Sequence, residues 1–333
     1  MAFSLLTPKK RIINIILNDH SIRYVELKQP QPLTVLKWGE HPLPPGIIHD
    51  GKIADQENLV NILEECMDEW KISRRSIRFV VPDPLVIIRK VSIPAEIEDD
   101  EIKGYLYLEL GSTIHLPYEE PVFDIHLMGT NDNTKDILLF AAPEEQVLEY
   151  VQLFHRVKLH PVAADISPLA LYRIYHQLGV TEQDEALFTV QFDVSSVNLC
   201  IFEGTVPLVM RQFSLPFMLE DWEMRTNSLG VIEYNFVGGE EELFLSLEEI
   251  YREISKLLDF YKYSLKEKQK EITKFLLYGD HPMLKIIEEQ VGERFEIPVS
   301  NLYKEAHSKG KTGGISNNLL LVLGLALKGV SSC

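Results

Sequence analysis

The sequence predicts an α/β protein of two lobes, and three observations carry that prediction. The chain has 333 residues, more than one hydrophobic core ordinarily serves, so it divides. Strand-like and helix-like periodicities alternate along it, and each half opens with strand hairpins and continues into helix. Each half also carries an inserted piece. Between the halves lies TEQDEA (Thr181–Ala186), short, charged and poor in apolar residues, which sets the main boundary.

The first half begins with RIINIILN, a turn at Asn18-Asp19-His20, and SIRYVELK. A third strand, LTVLKWGEH, follows the Pro-rich break Gln29–Pro32, so the start reads as a meander with tight turns. LPPGIIHDGKI reads as a loop by its Pro and Gly content. Asp55 then caps QENLVNILEECMDEW, where Leu59, Ile62, Leu63, Cys66 and Trp70 share a helical face. SIRFVVPDPLVIIRKVSIP reads as two strands around a proline-interrupted turn. EIEDDEIKGYLYLELGSTI reads as a helix whose acidic front suits its dipole. The strands PVFDIHLMG and DILLFAAP flank a polar loop. PEEQVLEYVQLFHRV is a helix, LHPVAADI a strand, and SPLALYRIYHQLG a helix capped by Ser167 and ended by Gly179.

The second half opens with QFDVSSVNLCIFEGTVPLVMRQFSLP (Gln191–Pro216), read as strand, turn, strand, turn, strand. A less regular piece, LEDWEMRTNSLGVIEYNFVGGEEE, follows. The clearest helix is SLEEIYREISKLLDFYKYSLKEKQ, with apolar residues at helical spacing from Leu247 to Leu265. KFLLYGD is a buried strand ended by Gly279, and HPMLKIIEEQVGERF a further helix. NLLLVLGLALKG (Asn318–Gly329) is too short to cross a bilayer core of about 30 Å. It reads as a buried terminal helix.

Composition excludes several classes. A formal net charge of -17 opposes binding to a nucleic-acid backbone, which needs clustered Lys and Arg, and opposes unaided docking on anionic lipid. The cysteines Cys66, Cys200 and Cys333 form no CxxC pair and no even framework. That pattern fits a reducing cytoplasm, with Cys200 a small core hydrophobe. The N-terminus MAFSLLTPKKR lacks the apolar core and cleavage site of a secretory signal. His155 and His160 have no acidic or Cys partner at ligand spacing, so no metal site is expected. No G-x-S-x-G elbow or HExxH occurs, although a triad built from distant residues leaves no local trace. The acidic run Gly238–Glu242 reads as a solvated loop, with a docking patch for a basic partner as the competing reading.

Two interrupted halves of meander plus helix resemble the actin-like ATPase architecture. Specific strings resemble one group within it, the PilM family of type IV pilus assembly proteins, related to the division protein FtsA. LPPGIIHDGKIAD (Leu43–Asp55) and HLPYEEPVFD (His115–Asp124) are similar to family segments. LLFAAPEEQV with LHPVAADISPLAL, EIYREISKLLDFY and the closing GLALKG follow in the family order, so the resemblance spans nearly the whole chain.

The resemblance implies a fold of ribonuclease H-like subdomains 1A and 2A, with an inserted 1C and a small 2B. Residues 1–84 with 165–180 would form 1A, and 85–164 would form 1C. Residues 186–218 with 276–333 would form 2A, and 219–275 would form 2B. It also implies a cytoplasmic protein that binds the N-terminal cytoplasmic tail of the membrane protein PilN in a groove between 1A and 1C, and that connects the platform to pilus motor ATPases. Tyr105, Tyr107 and Tyr118 fall in the 1C region. They are read either as ordinary core and rim tyrosines or as lining for that groove.

In this family ATP would lie between two phosphate loops and an adenosine loop, where glycines let backbone N–H groups approach the ligand. The first loop in relatives reads roughly D-I-G-S-S-S. Here Ile16 stands at the acidic, Mg²⁺-organising position and Asn18 at the glycine, and Asp19 is expected to face elsewhere. In the second loop Asp193 is kept, Ser195 replaces a glycine, Asn198 replaces a threonine, and Ser196 could still donate from its hydroxyl. Pro216-Phe217 replaces a downstream Gly-Gly. The adenosine loop reads Tyr278-Gly279-Asp280-His281, keeping only Gly279 and placing Asp280's negative charge where a nucleotide would lie. Glu253 and Lys256 match a Glu and an Arg near the ribose and base, the ammonium being a poor substitute for a guanidinium.

The sequence is therefore read as that of a non-enzymatic scaffold of a type IV pilus or DNA-uptake platform with a degenerate nucleotide site. No cofactor is expected. If the site persists, ATP and Mg²⁺ would be held by Asp193, Ser195, Ser196, Glu253, Lys256 and Gly279, and the protein would act as a switch. The same pattern also admits an FtsA-like division protein or a type II secretion platform protein.

Overall fold

The computed structural model describes residues 11–182, 185–215, 221–228, 232–264, 271–309 and 316–330. β1 (Ile13–Leu17), β2 (Ser21–Gln29) and β3 (Thr34–Pro42) form the expected antiparallel meander. Every residue of β1 is buried, because the sheet is covered on both faces, and the strand accordingly reads as a continuous apolar run. The segment expected as a loop contains a small hairpin, β4 (Ile48–His49) and β5 (Lys52–Ile53). Its turn residues Asp50 and Gly51 sit at φ 47° and 71°. Asp-Gly supplies the positive φ values that a two-residue turn requires, a signal that the Pro and Gly content obscured.

α1 (Gln56–Trp70) starts where the Asp55 side chain accepts from Asn58 N at 3.1 Å and ends at Lys71 in the left-handed region. It buries Leu59, Leu63 and Cys66, while Trp70 packs on Tyr24 with ring centroids 4.6 Å apart. β6 (Ser76–Val80) pairs parallel with β1. After a 3-10 turn at Asp83–Leu85, β7 (Ile87–Pro94) enters a different, three-stranded sheet. That sheet is completed by β8 (Pro121–Thr130) and β9 (Thr134–Pro143), in the order β7-β9-β8. α2 (Ile102–Glu109) covers it around a separate core of Ile93, Leu106, Phe123, Ile137 and Leu139. The helix is shorter than the acidic-to-apolar pattern of residues 96–114 suggests. Asp99 is drawn to the Lys135 ammonium at 2.7 Å, and Glu101 N–H bonds Glu98 C=O in a turn.

α3 (Glu144–Arg156) leads to β10 (His160–Asp165), which returns to the first sheet beside β6, and then to α4 (Ser167–Gln177). Ser167 is not the cap of α4. It is the first helical residue, and its hydroxyl is engaged elsewhere, so the helix starts without a side-chain cap.

The second lobe repeats the first. β11 (Ala186–Phe192), β12 (Ser196–Glu203) and β13 (Val206–Ser214) form another meander. The piece read as irregular is in fact an antiparallel hairpin, β14 (Trp222–Thr226) with β15 (Ile232–Phe236). Its buried Ile232 and Tyr234 alternate with exposed Glu233 and Asn235. α5 (Glu240–Ser264) begins six residues before Ser246, absorbing most of the acidic run expected as a loop. β16 (Lys274–Tyr278), α6 (Leu284–Phe295), β17 (Val299–Asn301), α7 (Leu302–Ser308) and α8 (Leu320–Ala326) follow.

The two five-stranded sheets have the orders β10-β6-β1-β2-β3 and β13-β12-β11-β16-β17. In both, the first strand pairs antiparallel with the second and parallel with the fourth. The duplication visible in the sequence is thus a duplication of topology. Between the sheets, α4 and α8 build a shared core with Ile16, Val25 and Val80 of one lobe and Leu187, Phe202 and Leu276 of the other. Cys200 is buried in it, as expected for a small hydrophobe.

Candidate functional site

Because the sheets are copies, the β1–β2 and β11–β12 turns occupy corresponding positions at their ends. The first closes with Asn18 N–H on Ser21 C=O at 2.8 Å, and the second with Asp193 N–H on Ser196 C=O at 2.9 Å. The Asp19 carboxylate is held by the β4–β5 hairpin while Asp19 lines a cavity it shares with the second turn. It accepts from the backbone N–H of Asp50 at 2.7 Å and of Gly51 at 3.2 Å, tying the β1–β2 turn to the β4–β5 hairpin.

The space between the lobes is crossed by an ion-pair cluster. Asp280, just past β16, takes His20 Nε2 at 2.9 Å and the Arg23 guanidinium on Oδ2, and Val194 N–H at 3.2 Å on Oδ1. Arg23 also donates from Nε to Glu40 at 2.6 Å. Glu40 in turn accepts from Ile232 N–H at 3.2 Å and lies near the Asn318 amide. Burial opposes ionisation of Asp280, but Arg23 and His20 outweigh it and hold the carboxyl well below the usual range. Asp280's charge, which the sequence reading places where a nucleotide would lie, is thus met by Arg23 and His20 within the chain.

The β14–β15 hairpin roofs this cluster. Tyr234 meets His20 edge-on with centroids 5.6 Å apart, and Trp222 meets His281 at 5.3 Å. Trp222, Ile232 and Tyr234 form a small core with Val194 of the β11–β12 turn.

Beside the cluster, the Asp193 carboxylate accepts from the Gln191 amide, and Gln191 accepts from Tyr278 OH at 2.5 Å. Burial pushes the Asp193 carboxyl well above its ordinary range, and the Asp280 charge adds to the shift. Asp83, on the opposite wall, is raised to about 6 by burial. Its carboxylate accepts from Ser167 Oγ at 2.5 Å, and that oxygen accepts from Asn198 Nδ2 at 3.0 Å. Ser214 Oγ on β13 reaches Asp50 at 2.6 Å. Polar contacts therefore join the lobes at several separate points.

A cavity of about 60 Å³ remains, lined by Asp19, Asp83, Gln191, Asp193, Ser195 and Ser196 among others. A second, of about 20 Å³, touches Arg23, Gly279 and Asp280. Ile16 forms an apolar wall in both. Of the residues singled out for a nucleotide, Asp193, Ser195, Ser196 and Gly279 do come together here. Glu253 and Lys256 line neither cavity. They pair with each other at 2.6 Å on α5, Lys256 largely in solvent. Pro216 and Phe217 lie outside the described residues.

Gly279 has φ +128°, and a Cβ there would lie 1.8 Å from the Phe192 carbonyl oxygen. The close approach of β16 to the end of β11 accounts for this glycine without a ligand. His20, Arg23 and Glu40 do not stand out in the sequence as site residues. The available signal was Arg23 and Glu26 inside the otherwise apolar run of β2, since a buried guanidinium demands an anionic partner.

The three tyrosines separate. Tyr105 packs on the core of the three-stranded sheet. Tyr107 is 57% exposed and lies against Phe123, with Leu108 beside it 82% exposed. Tyr118 borders a surface pocket of about 420 Å³ with Leu110, Ile114, His115 and Leu116, and its hydroxyl is buried with no hydrogen-bond partner. Among the described residues, no group of three His, Cys, Asp or Glu side chains could hold a metal ion. No helix among them is long and apolar enough to cross a membrane.

Residues 15–214 match the family model described as type IV pilus assembly protein PilM. Among solved structures, the chain is similar to one described as a PilM-PilN type IV pilus biogenesis complex. The identity is 19% and the TM-score 0.76, over 98% of this chain and 100% of that one. It is also similar to MreB5 of Spiroplasma citri bound to ADP, 9% identical with a TM-score of 0.53 over 97% of each chain. The ethanolamine utilization protein EutJ from Carboxydothermus hydrogenoformans is 13% identical, with a TM-score of 0.50 over 97% of this chain and 91% of that one. The two-lobed fold is the actin-like one that the duplicated sequence pattern predicts.

Proposed function

This chain belongs to the PilM family of type IV pilus assembly proteins, and we propose that within it the protein is a cytoplasmic, non-enzymatic scaffold. It binds the N-terminal cytoplasmic tail of a PilN-like membrane protein and so joins the assembly platform from the inside. The single observation that carries the non-enzymatic part is the filled cleft. Where relatives of this fold present space for ATP, the cavities here measure about 60 and 20 Å³. Ligand pockets run to roughly 300–1,000 Å³. The residues present do not fit a nucleotide with Mg²⁺. Ile16 replaces the carboxylate that would organise the ion, and Asp280 brings an anion to the N–H of Val194.

Support for the partner comes from the likeness to a PilM chain solved with PilN. The three-stranded sheet carries a surface suited to a peptide: exposed Tyr107 and Leu108 on α2, and the pocket at Tyr118, whose buried hydroxyl lacks a partner. A peptide lying there would pack apolar side chains on the exposed Tyr107 and Leu108 and at the mouth of the Tyr118 pocket. Contact with pilus motor ATPases is part of the same reading.

The test is a thermal titration of the purified protein with a peptide of the PilN-like tail and, separately, with ATP plus Mg²⁺. A ligand of the native state at a hundredfold excess over its dissociation constant adds about 2.7 kcal/mol of stability. The expected outcome is a melting shift with peptide, abolished by Tyr118→Ala, and none with millimolar ATP. A clear ATP shift would favour the switch reading, for which Asp193, Ser195 and Ser196 on the cavity wall are the supporting residues.

A further inference from the structure

We propose that Asp280 is a built-in ligand of the cleft, its carboxylate standing in for a nucleotide phosphate and clasping the two lobes without one. The inference rests on the scaffold reading and explains how an actin-like fold stays closed without ATP.

The geometry is that of a bridging anion. Oδ2 crosses to the first lobe, where His20 Nε2 lies at 2.9 Å and the Arg23 guanidinium donates to the same oxygen. Oδ1 remains with the second lobe and takes Val194 N–H at 3.2 Å. His20 and Val194 lie in the two turns that the duplication makes equivalent, so donors from both halves converge on one carboxyl group. A phosphate oxygen would ask for the same set, charge-assisted donors and a backbone N–H at a turn.

The backbone is shaped for this placement. Gly279 turns the chain at φ +128° so tightly that no side chain would fit against Phe192 O. His281 N–H then bonds the same carbonyl at 3.1 Å, which fixes Asp280 between its two anchors. The side chains of Asp280 and Arg23 are 1% and 5% exposed. The β14–β15 hairpin closes over them through Tyr234, Trp222 and the Glu40–Ile232 bond. One guanidinium here faces two carboxylates. Arg23 is shared by Asp280 and Glu40, while burial keeps the neighbouring Asp193 predisposed to its neutral form. A surface spanning both lobes would thereby keep its shape irrespective of nucleotide concentration.

The decisive experiment is anion rescue of Asp280→Ala in the full chain. Removing the carboxylate leaves Arg23, His20 and Val194 N–H facing a vacated anion position. The variant should melt below wild type. Formate, acetate or inorganic phosphate at tens of millimolar should saturably restore at least half of the lost melting temperature, beyond potassium chloride at equal ionic strength. Wild type and Leu106→Ala, which is destabilised in the separate core of the three-stranded sheet, should show no such rescue. A rise matched by potassium chloride overturns the proposal.

If the alanine variant does not fold, Asp280→Asn keeps the volume and removes the charge. Amide exchange at Val194 should then accelerate at least tenfold while exchange at Val25 is unchanged, and an unaltered Val194 would equally overturn the idea. Failed rescue leaves the scaffold reading standing. An ATP shift in wild type defeats the scaffold reading, and the rescue still reports on Asp280.

Discussion

The hydroxyl of Ser167 donates to Asp83 Oδ1 at 2.5 Å and accepts from Asn198 Nδ2 at 3.0 Å. One small side chain thus joins the first lobe to the second across the cleft. Ser167→Ala leaves both neighbours without this link. A loss of about 1–2 kcal/mol is expected, since a buried acceptor and donor lose their partner. Denaturant unfolding measures it, and Ser167→Thr should retain most of the stability if the hydroxyl is what matters.

Asp83 gives a pH signature. Burial raises its carboxyl to about 6, above the ordinary unfolded value near 4. The folded state therefore holds the proton more tightly. Its contribution is fully present below about pH 4 and is lost as pH rises through 6. Two units correspond to about 3 kcal/mol, the most that this carboxyl contributes over that range. Asp83→Asn should therefore gain stability over wild type between pH 4 and 7. An unchanged difference in unfolding free energy across that range would count against the raised carboxyl.

Two glycines should respond oppositely to alanine. A Cβ on Gly324 of α8 would sit 2.0 Å from the Ala170 carbonyl oxygen of α4, a backbone atom that cannot swing away. Gly324→Ala should cost about 3 kcal/mol through forced separation of the helices. Gly104 in α2 has nothing within 4 Å of its Cβ position. Gly104→Ala should stabilise by roughly 0.5–1 kcal/mol through helix propensity. Thermal melts of the pair check both signs.

Glu40 links three elements, accepting from Arg23 at 2.6 Å and from Ile232 N–H at 3.2 Å and facing Asn318. Glu40→Gln removes the charge opposite Arg23 and should cost about 2–3 kcal/mol. The loss should concentrate in the β14–β15 hairpin. Hydrogen exchange at Ile232 would rise well above that of β11, and uniform exchange through the second lobe would contradict the assignment.

Cys66 and Cys200 should be chemically silent. Burial pushes the Cys66 thiol up to about 12 and raises Cys200 well above its ordinary value. A thiol needs its thiolate and access to react. Both should resist a disulfide reagent at pH 8 until denaturant is added, as mass spectrometry of the labelled peptides would show.

Much of the fold was written locally. The unbroken apolar run of β1, the Asp55 cap and one-sided face of α1, and the repeated meander of β11, β12 and β13 each depend on neighbours a few residues away. Such patterns survive in a sequence because one turn or strand suffices to express them. Errors arose where tertiary demands replaced local ones. Ser167 looked like a helix cap but serves Asp83 and Asn198. The front of α2 looked helical but gives Asp99 to Lys135, and β14–β15 packs Trp222, Ile232 and Tyr234 on the distant Val194.

The sequence by itself determined the two-lobed duplication and most of its helices and strands, together with the residues that stand at the β1–β2 and β11–β12 turns. Only the tertiary structure decided what those turn residues meet. Arg23 and Asp280 lie 257 positions apart, and no periodicity relates them. Their pairing exists because two copied sheets face each other and Gly279 bends the chain between them. A buried charge is tolerated only beside its counter-charge, and where that partner comes from is settled by folding rather than by spacing.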